Sequence, residues 1–348
     1  MFGPKTPQLV DSCVDLAVVI HRLAGVIHRA RLGSVPQVPG RPNIADMVAR
    51  LRRPAALEWQ VFRGSEAVRE GLVTPTGLRS PSWQRLRHDV YADSRLDRDH
   101  SLACFAAALA LPPDAVIAGR SSAVRHGIDH AAGYADPVHV IVPPTSGFGP
   151  RAGLIIHRTA LALDDTALVG SDRCTTPLRT AWDLALWHDR PTAVAILDSL
   201  LGVDAIGAEQ LTRYCDDRSG QRGHLRARAA FELADGRSQS PPESRLRVRL
   251  AGAGLPPATP QCPVIVSSGV PLHLDLGWPE YEVGLEYDGQ WHASADQLHR
   301  DRRRLNLLVG AGWIVLHATS ERLRRDFAGL TREIRTALYS RGWRPRSP

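Results

Sequence analysis

Three acidic residues in the last third of the chain stand at spacings that chemistry uses. Asp275 lies in L-H-L-D-L-G, and Glu286 and Asp288 lie in G-L-E-Y-D-G. Both stretches alternate polar with apolar residues, the period of a strand buried on one face. Leu274 and Leu276 then share one face of the first strand, and His273 and Asp275 the other. In the second strand Val283, Leu285 and Tyr287 oppose Glu282, Gly284, Glu286 and Asp288. A tight hairpin centred near residues 279–281 sets Asp275 roughly opposite Glu286. Two carboxylates facing each other across a sheet repel, and a divalent cation is the natural offset. Mg2+, or Mn2+ in its place, is hard and prefers oxygen ligands. Held by Asp275, Glu286 and Asp288, it would polarise a phosphodiester and acidify an attacking water.

Other residues fit the same chemistry. His292 follows the second strand and is placed to donate a proton to a leaving oxygen or to touch phosphate. The next helix carries Arg300, Arg302, Arg303 and Arg304, a basic rim suited to a nucleic-acid backbone. Glu243 stands in the first turn of the helix that opens this region. Plainer readings exist for each. Asp275 and Glu286 also suit an exposed strand face, and Asp288-Gly289 suits a turn. The arginines suit a solvated helix face, and Glu243 suits a helix dipole.

The elements that must position these residues run α-β-β-β-α-β-α. The pattern predicts a helix over 242–250 and strands over 264–266, 272–277 and 282–288. A helix over 293–309, a strand over 313–318 and a closing helix over 321–339 follow. The motifs E-Y-D-G-Q-W-H, H-R-D-R-R-R-L-N-L-L and G-W-I-V-L resemble the endonuclease-like family related to very-short-patch-repair endonucleases, within the PD-(D/E)xK superfamily. The resemblance covers roughly residues 240–340 and implies a restriction-endonuclease-like domain that cleaves DNA. It implies that Glu243 is the glutamate of the first core helix, Asp275 the metal-binding aspartate and Glu286 the acid of the (D/E)xK element. Asp288 stands where many members carry lysine. The repair-type branch also lacks that lysine and uses a nearby histidine, a role His292 fits.

Upstream, Asn43 caps a helix with Ile44, Met47, Val48 and Leu51 on one face. Ser65 caps 66–70, Gly71 ends that helix, and Thr74-Pro75 opens another. Two β-like pieces, 83–87 and 90–91, flank His88-Asp89. Helices followed by a hairpin give the order of a winged helix-turn-helix. Helices over 96–111 and 116–128, strands over 138–142 and 154–158, a helix opened by Thr176-Pro177 and a helix over 193–201 make a mixed α/β region. F-R-G-S-E-A-V-R-E-G-L-V-T, D-V-Y-A and T-T-P-L-R-T-A-W-D-L-A resemble AbiEi-type antitoxins over roughly residues 60–200. That resemblance implies DNA binding, autorepression and a nucleotidyltransferase toxin as partner. Thr176 and Arg179 also read as a helix cap and its support.

The fold class expected is α/β, an α+β multidomain chain. Its divisions are an N-terminal extension (1–57), a winged-helix-like region (58–112), an antitoxin-like α/β domain (113–235) and an endonuclease-like domain (236–348) behind the Gly/Ser/Pro linker 236–242. Met1 and Met47 are the only methionines, which makes a start near Met47 an alternative reading. The 348 residues carry a net charge of +7. Between 236 and 348 there are 16 arginines against 11 acids, so most of the excess sits there and favours a polyanionic partner. Five scattered cysteines without C-x-x-C spacing argue against a zinc finger and fit reduced thiols in a cytoplasm. No apolar run is long enough for a membrane span. Two functions follow: a metal-dependent DNA endonuclease, or a non-catalytic DNA-binding transcriptional regulator of the antitoxin type.

Overall fold

A computed structural model describes residues 53–266, 269, 271–288 and 295–345. The helix expected at 43–51 and the candidate His292 lie outside the described residues. The described chain is an α+β multidomain protein with three sheets. It divides into two compact units. Of the described residues, one holds 53–98 with 105–111 and 168–173; the other holds 99–104, 112–167 and those from 174 to 345.

The first unit is built on β1 (Val61–Arg63), α1 (Gly64–Arg69), β2 (Trp83–Arg87) and β3 (Val90–Asp93), with strand order β1-β3-β2. Phe62 packs edge-on to Trp83 at 5.1 Å, and Ala67 and Leu57 close the small core. The expected β2–β3 hairpin is present and turns at Asp89, which adopts a left-handed φ of 57°, a conformation Asp tolerates. Asp89 also accepts bonds from the amide and hydroxyl of Ser65. Ser65 is therefore not the cap of α1; the N-cap is Arg63. The helix expected after Thr74-Pro75 shrinks to one 3-10 turn, Gly77–Arg79. Thr74 does accept the Gly77 amide, but Ser80-Pro81 stops propagation within a turn.

The chain continues with α2 (His100–Ala108), β4 (Val116–Ile117), α3 (Gly119–Arg125), β5 (Val138–Val142), β6 (Leu154–Arg158), β7 (Thr166–Val169) and β8 (Asp172–Thr175). The sheet order is β6-β5-β4-β8-β7, and β5 is buried along its whole length. The single helix expected over 116–128 is instead a strand and a helix. Ala118 is extended and Gly119 left-handed, and pairing of Ile117 with β5 and β8 overrides local helical preference. Helices α4 (Pro177–Trp187), α5 (Arg190–Gly202), α6 (Ala208–Asp216) and α7 (His224–Phe231) follow. Thr176 caps α4 as expected, accepting the Arg179 amide. Trp182, Leu184, Ile196, Leu197, Leu200 and Leu211 form the helical core.

The last part runs α8 (Pro241–Gly252), β9 (Thr259–Ile265), β10 (Pro271–Trp278), β11 (Val283–Asp288), α9 (Ala295–Gly310), β12 (Ile314–Thr319), α10 (Ser320–Arg325) and α11 (Phe327–Ser340). The closing helix is split because Asp326 caps α11, accepting the Gly329 amide. The sheet order is β12-β11-β10-β9, antiparallel except for the parallel β11–β12 pair. One expectation fails here. Leu276 and Leu285 pack with α8 and α11, whereas Leu274 joins Cys262, Val264 and Leu308 in a separate cluster. The period of two breaks at Asp275, beside Gln261, whose φ of 49° marks an irregular strand. Gly277 and Gly284 are paired. A Cβ at Gly277 would sit 2.5 Å from Cys262, and one at Gly284 would strike Leu274. Both glycines make room for side chains that cross the sheet face.

Helix α8 is held to α5 by an ion pair removed from water: Arg247 Nη2 lies 2.8 Å from Asp198 Oδ2, with side chains 9% and 1% exposed. Arg247→Leu strands the Asp198 charge and is expected to lower stability by about 3–5 kcal/mol in urea unfolding. The double variant Asp198→Leu/Arg247→Leu should recover most of that loss. A double variant no more stable than the single one would show that packing, not charge, sets the cost.

Candidate functional site

Glu243, Asp275 and Glu286 come from three different elements and are electrostatically coupled. Backbone pairing between β10 and β11 ends at Leu276 opposite Leu285, a register that carries Asp275 to the position facing Glu286. There the ladder opens: Asp275 turns its Oδ2 to accept the Tyr287 amide at 2.7 Å. Glu286 is 9% exposed. Burial pushes its carboxyl up to about 7, with Arg304 opposing and Asp275 adding to the rise. Arg304 Nη1 lies 2.9 Å from Glu286 Oε1, and the same guanidinium donates to the His273 carbonyl.

Glu243 is fixed at the start of α8, where Ser240 is the N-cap. Ser240 Oγ donates to Glu243 Oε1 at 2.8 Å and accepts the Glu243 amide. The Gln239 amide and Gln261 Nε2 bind the second carboxylate oxygen. Burial raises its pKa, and Asp275 adds to the rise. Asp288 lies apart from this buried group. It is exposed, with Oδ2 3.0 Å from His317 Nδ1. Arg300, Arg302 and Arg303 are exposed on α9, and Arg304 turns toward Glu286. Among the described residues, no group of three or more His, Cys, Asp or Glu side chains is arranged to hold a metal ion. The carboxylates here are met by an arginine, an amide, a hydroxyl and a histidine, partners that do not make a metal-ligand set.

Two participants escaped the sequence reading. His317 stands beside Glu286 across the parallel β11–β12 pair, and strand parity in V-L-H-A was the available signal. Gln261 reaches Glu243 only because β9 bends at that residue, and nothing local announces that bend.

A second polar centre lies in the α/β region. Arg179 bridges Asp165 and Asp183, each at 2.9 Å, and Tyr214 and Arg218 complete the shell of Asp165. Arg179 thus does more than support its helix cap: it anchors the segment before β7 to α4. Asp183 is pushed up to about 7 by burial, against the pull of Arg179.

Glu286 keeps its proton to higher pH in the folded chain than in the unfolded one. Between about pH 4.5 and pH 7 the folded state therefore binds more protons, and stability falls as pH rises. The Glu286 contribution is on the order of 3 kcal/mol. Glu286→Gln is expected to flatten that part of the stability–pH curve and to be the more stable protein near pH 8. An unchanged slope would rule this out.

Residues 115–233, from β4 to just past α7, match the family described as the AbiEi antitoxin C-terminal domain. Two curated proteins of Mycobacterium tuberculosis, one from strain CDC 1551 / Oshkosh and one from strain ATCC 25618 / H37Rv, are each 29% identical over 190 residues. The aligned part is 54% of this chain and 69% of theirs, and both are named uncharacterized. No solved structure matches the chain significantly. No helix among the described residues is long and apolar enough to cross a membrane. The family match ends before α8 and does not reach the acidic centre, so it is the α/β region, residues 115–233, that is similar to the C-terminal domain of AbiEi antitoxins.

Proposed function

We propose that the protein is a DNA-binding regulator of the antitoxin type, acting on its own promoter and paired with a toxin, of which a nucleotidyltransferase is the kind the resemblance implies. The observation that carries this reading is the antitoxin-domain match over residues 115–233. The first unit adds a surface suited to DNA. From residue 71 to 88 the chain has Arg79, Arg85, Arg87 and His88 and no acid. Arg79, Arg85 and His88 are exposed on the 3-10 turn and the β2–β3 hairpin. Contacts of this kind are to phosphates, so affinity should fall steeply with salt.

The test is a gel shift on the chain's own promoter across a salt series. Arg79→Ala/Arg85→Ala is expected to weaken binding at every salt concentration and to reduce the log K against log salt slope by about 2. Binding that ignores both salt and these arginines would sink the reading.

A second reading, phosphodiester hydrolysis with Mg2+ or Mn2+ by the last third, is favoured by the coupling of Glu243, Asp275 and Glu286. Arg304 on Glu286 and the Tyr287 amide on Asp275 count against it. Under the regulator reading, wild type and Asp275→Ala leave supercoiled plasmid equally intact with either cation. Cleavage by wild type alone would favour the nuclease.

A further inference from the structure

Three histidines converge at one end of the β4–β6 sheet, where neither the regulator nor the nuclease reading needs them. His139 comes from β5, His157 from β6, and His188 directly follows α4. His139 Nδ1 lies 3.1 Å from His157 Nε2, and the His139 and His188 rings are 5.6 Å apart. Trp187 stacks flat on His157 at 3.4 Å. The site is built around that stack. Gly119 sits at the back of Trp187, where a Cβ would come within 2.7 Å of the indole. These rings, with Arg120, Asp136 and Ile155, line a cavity of about 400 Å³, a size typical of small-molecule sites.

The cavity is lined by basic groups more than by acids. Arg120 and three imidazoles face it, and its single carboxylate, Asp136, lies 3.3 Å from Arg120 and offsets that charge. Behind His188, Arg226 donates to its carbonyl and Asp189 lies next in the chain. Behind His139, His100 bonds Ser121, whose hydroxyl accepts the His139 amide. Burial and neighbouring basic groups push His139 down to about 3 and His157 to about 4, and lower His188. The imidazoles are therefore neutral. His188 Nε2 is shut off from water with no hydrogen-bond partner, an expensive state for a polar atom.

We infer that this cavity binds a small phosphate-bearing molecule of mononucleotide size. A phosphate monoester brings nearly two negative charges and three strong acceptor oxygens, which can meet the Arg120 guanidinium and protonated imidazoles together. The organic part lies against Ile155 and the rings. A dianion among these histidines favours their charged forms, so binding takes up protons and strengthens as pH falls.

The full-length protein is titrated calorimetrically with inorganic phosphate and with adenosine 5′-monophosphate, in two buffers of different ionisation enthalpy, near pH 6 and near pH 8. Imidazole side-chain NMR is followed in parallel. One site with proton uptake, weaker binding at the higher pH and shifts confined to His139, His157 and His188 are expected. Arg120→Gln, checked for folding by circular dichroism, should weaken binding about tenfold, and acetate should not compete. Phosphate binding as tightly as the nucleotide assigns recognition to the phosphate group alone, and tighter nucleotide binding adds the base; both uphold the proposal. Absence of imidazole shifts in the wild type overturns it, as does binding that Arg120→Gln and His157→Asn leave unchanged.

Discussion

Asp198 and Arg247 are almost wholly removed from water, and the rest of the larger unit depends on their meeting. Asp198 takes the Asp235 amide on its other oxygen, and Arg247 also donates to the Leu233 carbonyl. The pair therefore pins both the helices and the segment that joins them. Taking two such charges out of water costs several kcal/mol each, and only close pairing with added hydrogen bonds recovers it. The arrangement tolerates little slippage. It sets where α8 lies, and the first turn of α8 delivers Glu243 toward Asp275.

The acidic centre follows from that placement and from a fault in the sheet. Where β10 breaks its alternation, Asp275 leaves the ladder and replaces a backbone carbonyl as acceptor for Tyr287. Glu286 stays buried on β11 and is neutralised from α9 by Arg304. Repulsion among three acids is thus relieved inside the protein by a guanidinium, by caps and by partial protonation. A centre satisfied in this way suits a domain that holds its shape or binds, and the exposed arginine surface of the first unit suits contact with DNA. The antitoxin match and the histidine-lined cavity fall in the same α/β region, upstream of the acids.

How far the fold was legible varies with how local its cause is. Thr176-Pro177 opening α4 and the apolar run of β5 are decided by neighbours within four residues, and each stands where the sequence places it. The α-β-β-β-α-β-α order of the last third is read from the same short-range periodicity. By contrast, β4 is two residues long and exists only because β5 and β8 flank it. Arg304 reads as one of four equivalent arginines until α9 is laid against β10 and β11.

The amino-acid sequence by itself determined the α-β-β-β-α-β-α order of the last third, the Thr176 cap and that Asp275 and Glu286 stand at facing positions of a hairpin. Only the tertiary structure decided what those acids meet, because burial and partners are properties of packed elements rather than of spacing. The same holds for His139, His157 and His188. They are separated by 18 or more residues in the chain, and no periodicity links them. They become a site only when two strands and a helix end bring three neutral rings around one cavity.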